Sequence, residues 1–536
     1  MLYRIIICLI LFLGSVSSIA NTIYYVKDYG ILPNGEEISQ KLATLTRKVS
    51  NEGGGTIIFE AGEYVMGAGL TKDGVPFGNV RLYPNIHFKG VEGTVLKANN
   101  TGGGFHDMFC TLDHSVENVI FEGITFNTYI GTRNRDYNDY RLAIILHWSK
   151  NVIVRECRFI HDVGTIDTRY SHLQADKNAG NYRVDGLIIE NCSFEARILS
   201  ESGYRDITPF GICAQNVIIR NNTFTVIEKV NRFQNKYYPN CCLEIQGKDI
   251  WIYGNEFRDY TNAIDFTNMD SYEGNRNINI YNNRILCYRG IALWCHDNWY
   301  AKGINIYNNY FNLACDNTDK RVCGVKACIV FVSHPTDSNN GYYSDIYISN
   351  NVFDYSDHQL YYKSLSYKKW IGIPQHNTDL RNGMSYEEYY SAISLGGSSA
   401  VRNNVIIKNN EFKNCLFPCI YVGGKNTSEN HIISNNVFYN CSEDTTWSII
   451  SLNNQCIDFQ IIGNKIIRKD DSKPTISFLK TKWSGLLAEG FCSEKDVVFN
   501  GIIVLGNNIY NEKGVKMNYS HCFDSSLLKS GHNNIY

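Results

Sequence analysis

The stretch QNVIIRNNTF, residues 215–224, decides the fold of this chain. It alternates apolar and polar residues as a β-strand does, turns at two asparagines, and starts another strand with Phe224. Asparagine suits this turn because it tolerates the left-handed backbone region and can hydrogen-bond to the same residue of a neighbouring copy. The phrase returns as ENVIFEGITF (117–126), KNVIVRECRF (150–159), DGLIIENCSF (185–194), KDIWIYGNEF (248–257), NINIYNNRI (277–285), GINIYNNYF (303–311), DIYISNNVF (345–353), NVIIKNNEF (404–412), HIISNNVF (431–438), FQIIGNKI (459–466) and IIVLGNNI (502–509).

A second apolar strand precedes most copies of this phrase. Two or three short strands in a repeat of roughly 26 to 35 residues cannot bury their apolar sides alone, but coils stacked in parallel can. The sequence therefore predicts an all-β fold in one domain, a parallel β-helix solenoid that the crossover rule makes right-handed. A propeller would need antiparallel strands, and a leucine-rich horseshoe would need leucines at the Asn-Asn positions. The preceding strands are AIILHW (from 143), CLEIQ (242), AIDFT (263), GIALW (290), CIVFV (328), AISLG (392), CIYVG (419) and SIISL (448).

A short helix is predicted at residues 36–51, where aliphatic residues from Ile38 to Val49 recur at helical spacing. Three glycines, Gly53-Gly54-Gly55, end it before the strand at 56–59. We expect the helix to cap the first coil, whose strand edges would otherwise be exposed.

These features divide the chain into three segments: a signal peptide at 1–20, the cap and first strands at 21–70, and the β-helix at 71–536. A loop insertion rich in Tyr, Lys and Trp interrupts the β-helix at about 354–391. Insertions in a solenoid collect on one face, which is often the binding face. The polar and aromatic residues of this insertion include Lys368, Lys369, Trp370 and His376.

The first residues have the three parts of a secretory signal peptide. Arg4 is followed by the apolar run 5–13 and by the small residues Ser18-Ile19-Ala20, so we expect cleavage after Ala20. The mature protein is then secreted, to the periplasm, the cell surface or the medium. No later stretch reaches about 18 consecutive apolar residues, so no membrane span is expected. The mature chain has 50 basic and 53 acidic residues, a balance that does not favour nucleic acid.

Seventeen cysteines remain after the leader, an odd number that argues against a complete disulfide framework. Cys157 with Cys192, and Cys415 with Cys441, occupy equivalent repeat positions, which predicts small apolar side chains stacked in a core. Glycosylation triplets at Cys192 and Cys441 fall inside these repeats, where a glycan could hardly be accommodated. This favours a bacterial source.

The opening segment, residues 24–64, resembles the first module of the pectin-lyase-like superfamily. The matching elements are Asp28-Tyr29-Gly30, Asn34-Gly35, the capping helix, Gly53-Gly54-Gly55-Thr56 and Gly62-Glu63-Tyr64. Where the superfamily usually has Asp-Gly, this chain has Asn34-Gly35, and where it usually has a proline before Gly-x-Tyr, this chain has Ala61. The resemblance, which extends over nearly the whole mature chain with the downstream coils, implies a β-helix shared by polygalacturonases, pectate-lyase-type proteins and phage tailspikes.

The superfamily includes hydrolases, lyases, epimerases and binding proteins, so the resemblance implies the fold more strongly than the reaction. The polygalacturonase set of Asn-x-Asp, Asp-Asp, Gly-His-Gly and Arg-x-Lys is not present in order, although Asn262 and Asp265 followed by His296 partly match it. The aspartate cluster and Arg-x-x-x-x-Arg pattern of calcium-dependent pectate lyases is also missing.

The strand around Glu244 suggests where chemistry would occur. Leu243 and Ile245 should point into the core, so Glu244 and Gln246 should point outward. The next coil repeats the pattern and places Asp265 outward in register with Glu244. Coils about 4.8 Å apart would put these carboxylates roughly 5 to 8 Å apart on one exposed strip, which suits two-carboxylate glycoside hydrolysis. The alternative is a pair of solvated acids, or a carboxylate held by Lys248.

Further side chains are predicted to extend this strip. Outward indole rings suit stacking against sugars, and His296 beside Asp297 could transfer a proton, although a turn histidine is more often merely solvated. The residues expected to bind substrate are Gln246, Lys248, Arg289, Trp294, Asp297, Trp299 and His147, with Glu244, Asp265 and His296 as catalytic groups.

These observations predict a secreted enzyme that cleaves an extracellular polysaccharide, most simply a glycoside hydrolase. β-Elimination on a uronic-acid polymer is the alternative reaction, with Lys248, Arg289 or His296 as base or cation. The third possible function is that of a non-catalytic solenoid that binds glycans or mediates adhesion. No cofactor is expected, no loop points to calcium, and the oligomeric state, the sugar and its linkage stay open.

Overall fold

The computed structural model describes residues 22–67, 71–72, 75–76, 80–99, 105–111, 115–129, 140–162, 164–168, 184–197, 210–227, 241–260, 262–266, 274–287, 289–294, 300–312, 328–332, 341–356, 391–395, 401–415, 418–423, 428–441, 448–452, 456–468, 476–478, 499–516, 523–524 and 534–535. The predicted signal peptide lies outside these residues, as does most of the predicted insertion. None of the helices in these ranges is both long and apolar enough to cross a membrane.

Each full coil contributes one strand to each of three sheets, here called sheets 1, 2 and 3 in chain order. Strands of successive coils pair in parallel, as Val116–Glu122 does with Ser149–Arg155. A small antiparallel hairpin, Thr71–Lys72 with Val75–Pro76, departs from this pattern. The fold is a right-handed parallel β-helix, which confirms the prediction from the repeats.

The chain divides into two compact units, Met1–Trp251 and Ile252–Tyr536, and the boundary falls within the strand Cys241–Tyr253. The first unit also contains the 3-10 helix Val26–Tyr29 and the α-helix Ser39–Asn51. Its sheet 1 comprises Val80–Arg81, Phe105–Thr111, Tyr140–Leu146, Ile166–Asp167 and the first parts of Phe210–Arg220 and Cys241–Tyr253. Its sheet 2 comprises Ile23–Tyr25, Gly55–Phe59, Ile86–Gly90, Val116–Glu122, Ser149–Arg155, Val184–Glu190 and the second parts of Phe210–Arg220 and Cys241–Tyr253. Its sheet 3 comprises Gly62–Met66, Thr94–Ala98, Thr125–Asn127, Arg158–His161, Ser193–Ala196 and Thr223–Val226.

The second unit repeats the arrangement. Its sheet 1 comprises Asn262–Phe266, Arg289–Trp294, Ile329–Val332, Ile393–Leu395, Ile420–Val422, Ile450–Leu452, Ile476–Phe478 and Phe523–Asp524. Its sheet 2 comprises Asn275–Tyr281, Tyr300–Tyr307, Tyr342–Ser349, Val401–Lys408, Ser428–Glu429, Ile432–Ser434, Cys456–Ile457, Gln460–Ile462, Phe499–Asn500, Ile503–Leu505 and Asn534–Ile535. Its sheet 3 comprises Glu256–Arg258, Arg284–Leu286, Tyr310–Asn312, Val352–Asp354, Glu411–Lys413, Val437–Tyr439, Lys465–Ile467 and Asn508–Tyr510.

The predicted N-terminal helix is confirmed, and it begins three residues later than expected. Its apolar stripe, Leu42, Leu45 and Val49, is buried, because these residues recur once per helical turn on one face. Gly53 and Gly54 follow in the left-handed backbone region and turn the chain into the first long strand.

Phenylalanines of the repeat form the centre of each unit. In the first unit, the Phe159 ring stacks on those of Phe126 and Phe194, with centroids 5.0 and 4.6 Å away. In the second unit, the Phe353 ring lies 4.9 Å from that of Phe311 in the same way. This geometry buries large apolar areas and also fixes the register between coils, since a slip of one residue would turn each ring outward.

The two turn asparagines of the repeat differ in backbone conformation and in side-chain contacts. The first adopts the left-handed conformation, as Asn308 does at φ 56°. The second, such as Asn309, is buried, and its side chain bonds to the equivalent asparagine of the next coil. Both properties were predicted for the turn as a whole, and the structure assigns them to separate residues. The buried ladder runs through Asn255, Asn283, Asn309, Asn351, Asn410, Asn436, Asn464 and Asn507.

Cysteines of the repeat are small core residues, as predicted. Cys157 and Cys192 are 2% and 3% exposed, and Cys415 and Cys441 are likewise buried. In the described part of the chain, no cysteine forms a disulfide, and each is buried.

Candidate functional site

The outer face of sheet 1 in the first unit carries a row of equivalent side chains. Phe109 points inward, where its ring packs against that of Phe88 at 5.1 Å. Strand alternation directs the next residue, Cys110, to the outer face. Parallel register extends this position through the following coils, to Ile145, Asp167 and Gly211.

Glu244 continues the row. The strand that carries it pairs with the strand that carries Gly211. The left-handed residues of these two strands, Asn216 at φ 56° and Asp249 at φ 57°, are equivalent in the repeat. Counting back five residues from each places Glu244 beside Gly211. We call Asp167, Gly211 and Glu244 the carboxylate row.

The carboxylate row places two acids on either side of a residue without a side chain. Adjacent coils are about 4.8 Å apart, so the backbones of Asp167 and Glu244 are separated by about 10 Å. Asp167 is 1% exposed and Glu244 is half-buried, so solvent exposure increases from Asp167 to Glu244. Gly211 leaves the space between the two carboxylates clear of any side chain of its own.

Asp107, two coils before Asp167, is a carboxyl group of a different kind. It is 5% exposed, and burial raises its pKa to about 7 although a hydrogen bond with the Cys110 thiol opposes the shift. Leu142, its register partner, packs with Cys110 and Ile145 in an apolar cluster that explains the desolvation. Asp107 therefore exchanges a proton near neutral pH.

Glu122 on the neighbouring sheet 2 shows the opposite behaviour. Burial would raise its pKa, but hydrogen bonds from Lys89 and Arg155 outweigh this effect and lower the pKa to about 2. The Lys89 Nζ atom lies 2.7 Å from the carboxylate, and His87 Nε2 lies 3.2 Å away. Glu122 is thus a permanently ionised member of a charge network and not a proton-transfer group.

A second group of polar side chains lies on sheet 1 of the second unit. The Nδ2 atom of Asn262 donates a hydrogen bond of 2.8 Å to the Oδ2 atom of Asp265. Arg289 lies on the adjacent strand in register with Asn262. All three are buried, at 4%, 6% and 2% exposure. The structure therefore brings the predicted residues Asp265 and Arg289 onto neighbouring strands.

The prediction of an exposed strip is wrong for several of its members. Gln246 is 1% exposed, and Asp265 and Arg289 are buried as well. Ala292 and Val330, which occupy the position of Asp265 in the next two coils, are also completely buried, so this row is not exposed there. Strand alternation predicts which way a side chain points, but not what lies over it.

The remaining predicted residues are placed as follows. Glu244 and Lys248 are half-buried in the first unit, whereas Asp265 belongs to the second unit. His147 is half-buried at the end of its strand, and its backbone N–H donates to the Thr111 hydroxyl at 2.6 Å. The backbone of Trp294 ends the strand Arg289–Trp294. His296, Asp297, Trp299, Lys368, Lys369, Trp370 and His376 lie outside the described residues.

Sequence reasoning missed Asp167 and Asp107. Asp167 lies between Ile166 and Thr168, so the alternation that singled out Glu244 also applies to it. Its strand, Ile166–Asp167, is too short to recognise by periodicity. Nothing in the sequence distinguishes Asp107, because its raised pKa depends on burial by residues distant in the chain.

Among the described residues, the one group of three or more metal-ligating side chains is Cys415, Cys419 and Cys441 in the second unit.

No protein-family model matches the sequence, and neither does any curated protein. Solved structures do match. A point mutant of the tailspike protein of E. coli bacteriophage HK620, in complex with a pentasaccharide, superposes with a TM-score of 0.63 at 14% identity over 95% of this chain and 78% of that chain. A second point mutant of the same tailspike protein, also in complex with a pentasaccharide, superposes with a TM-score of 0.60 at 13% identity over 95% of this chain and 77% of that chain. A double mutant of the same tailspike protein superposes with a TM-score of 0.58 at 12% identity over 91% of this chain and 80% of that chain. The likeness is one of fold.

Proposed function

We propose that this protein is a secreted polysaccharide-cleaving enzyme, a glycoside hydrolase in which Asp167 and Glu244 are the two catalytic carboxylates. The observation that carries the proposal is the carboxylate row, with its two outward acids on either side of Gly211. The pentasaccharide complexes of the tailspike proteins with this fold support a saccharide as the ligand.

The spacing of the two acids favours inversion over retention. An inverting enzyme needs about 6.5 to 9.5 Å between its carboxyl groups, to leave room for a water molecule, whereas a retaining enzyme needs about 5 to 5.5 Å. Backbones about 10 Å apart allow the longer distance once the side chains lean over Gly211. One of the two acids would take the proton of the attacking water, and the other would protonate the leaving oxygen.

Asp167 replaces Asp265 in this proposal for a structural reason. Asp167 and Glu244 belong to one compact unit, and their row is built by paired strands of that unit. Asp265 is held by Asn262 in the other unit, where its buried carboxylate accepts a hydrogen bond. The pair Glu244 and Asp265 remains the alternative derived from the sequence.

The test is a comparison of amide variants on a panel of pectic, alginate, glycosaminoglycan and neutral glycans. We expect Asp167→Asn and Glu244→Gln each to reduce the release of reducing ends at least 100-fold, because each removes one proton-transfer step. Glu117→Gln is the matched control, since Glu117 is an exposed carboxylate on sheet 2. The thermal midpoint of each variant is measured in parallel.

Full activity in both amide variants would reject the carboxylate row. Loss of activity in Asp265→Asn together with full activity in Asp167→Asn would instead favour the pair derived from the sequence. An ultraviolet-absorbing unsaturated product would identify a lyase. Retention on a glycan column without turnover would identify a binding protein.

A further inference from the structure

Three thiols meet in the interior of the second unit. The sulfur atoms of Cys415, Cys419 and Cys441 all lie within 4.8 Å of one another. Cys415 and Cys441 each follow the repeat phenylalanine, Phe412 or Phe438, by three residues in successive coils. Cys419 immediately precedes the next strand of sheet 1. Stacking of the coils, and not sequence proximity alone, therefore assembles the group, which we call the thiol triad.

The thiol triad is closed to solvent. Its members are 2%, 0% and 0% exposed. The Cys441 thiol lies 3.4 Å from the Tyr439 carbonyl oxygen, to which it donates, and the Cys415 thiol lies 3.9 Å from the carbonyl oxygen of Lys413. Three sulfur atoms thus converge on one another instead of pointing into separate apolar gaps.

Core packing alone does not require this convergence. In the first unit, Cys157 and Cys192 are equivalent to each other, two residues before the repeat phenylalanine, and they form only a pair. In the second unit, Cys419 supplies the third sulfur from a strand position that is Ala392 in the coil before and Ile449 in the coil after. An aliphatic residue therefore suffices there for packing, and a thiol adds ligand chemistry.

The dimensions are close to those of a metal–thiolate site. The centre of a triangle with sides of 4.8 Å lies about 2.8 Å from each corner, and a zinc–sulfur bond is about 2.3 Å. Each sulfur therefore needs to move inward by only about 0.5 Å. We propose that Cys415, Cys419 and Cys441 bind one soft metal cation, such as Cu(I), Zn(II) or Cd(II), through their three sulfur atoms.

Charge and softness decide the class of ion. Thiolates select soft or borderline cations, and hard ions such as calcium and magnesium prefer oxygen ligands. Binding releases thiol protons, and the cation offsets the negative charge that would otherwise be costly in a dry interior. The site would join successive coils of the second unit and is independent of the carboxylate row in the first.

The experiment uses Cd(II), which is not redox-active and gives a thiolate-to-metal absorption band. Because the triad is buried, the full chain is expressed in medium supplemented with Cd(II), desalted and analysed for bound metal. We expect about one Cd(II) per chain and the absorption band in the wild type. Cys419→Ala should lose both, and it should fold because alanine occupies this position in the preceding coil.

Cys456→Ser is the matched control, since Cys456 is also buried in the second unit but does not belong to the triad. It should keep the bound metal and the band. The proposal is overturned if the wild type holds no Cd(II), or if Cys419→Ala holds as much as the wild type. It is also overturned if thiol titration of the denatured, unreduced protein shows that two members of the triad form a disulfide. Activity on glycans is expected to be unchanged in Cys419→Ala, so failure here leaves the proposed function untouched.

Discussion

The Oδ1 atom of Asn351 accepts two hydrogen bonds from Asn309 of the preceding coil, from its backbone N–H at 2.9 Å and from its Nδ2 atom at 3.0 Å. The Nδ2 atom of Asn351 in turn donates to the carbonyl oxygen of Ile306 at 2.9 Å. Asn351 is 1% exposed, so water cannot replace these bonds. One buried side chain thus satisfies polar groups at the turn of the neighbouring coil.

Asn351→Leu should therefore destabilise the protein by about 2 to 4 kcal/mol. The leucine has nearly the same volume, but it leaves the Asn309 donors and the Ile306 carbonyl buried without partners. Denaturant unfolding measures the loss. The control is Asn350→Gly at the preceding, exposed position, where φ is 56° and glycine is equally suited, so its change should stay within about 0.5 kcal/mol. Equal losses in the two variants would contradict the role assigned to the ladder.

Asp107 should make the protein less stable as the pH rises towards neutrality. Its folded pKa of about 7 lies above the unfolded value of 3.8, so the folded state keeps a proton that the unfolded state releases. This contribution is fully present below about pH 4 and lost as the pH rises through 7, with a total on the order of 4 kcal/mol. Asp107→Asn, which stays neutral, should flatten this part of the stability profile in denaturant titrations. An unchanged profile would show that the carboxyl is not desolvated.

His161 should have the opposite dependence on pH. It is completely buried, burial lowers its pKa to about 3, and neither ring nitrogen has a hydrogen-bond partner. The folded state therefore binds fewer protons than the unfolded state between the two pKa values, and stability falls as the pH drops from about 6.5 towards 3. His161→Leu should resist acid better than the wild type when both are unfolded at pH 7 and pH 4.5. Equal acid sensitivity would count against a neutral, buried imidazole.

The fold was predictable because its causes are local and repeated. The Asn-Asn turn, the phenylalanine after it and the alternation before it recur in each copy, and register between coils follows from superimposing copies. The N-terminal helix was predictable from Leu42, Leu45 and Val49 for the same reason. The repeat does not encode how deeply each outward-pointing side chain is buried.

The candidate site was predictable only in part. Alternation indicated that Glu244 points outward, and the structure leaves it half-buried at the end of the carboxylate row. Burial of Gln246, Asp265 and Arg289 was not predictable, because strand alternation gives the direction of a side chain and not its exposure. Asp167 was not predictable because its strand has only two residues. Its register with Ile145 and Gly211 follows from strand pairing and not from periodicity.

Gly211 gives the most direct test of the geometry between the two proposed acids. It is the residue of the outer row that separates Asp167 from Glu244, and it places no side chain between them. In the two coils before that of Asp167, the equivalent residues are Ile145 and Cys110, so the backbone at this position accepts larger side chains. A valine there would project between the carboxylates, where the sugar and the attacking water must sit.

Gly211→Val should therefore abolish cleavage at any substrate concentration, and Gly211→Ala should reduce it to an intermediate level. Both carboxylates remain in these variants, so a graded loss would arise from space and not from lost acid–base groups. Thermal midpoints separate this outcome from unfolding, because a blocked site leaves the transition close to that of the wild type. Wild-type turnover by a folded Gly211→Val protein would mean that the reaction takes place away from the carboxylate row.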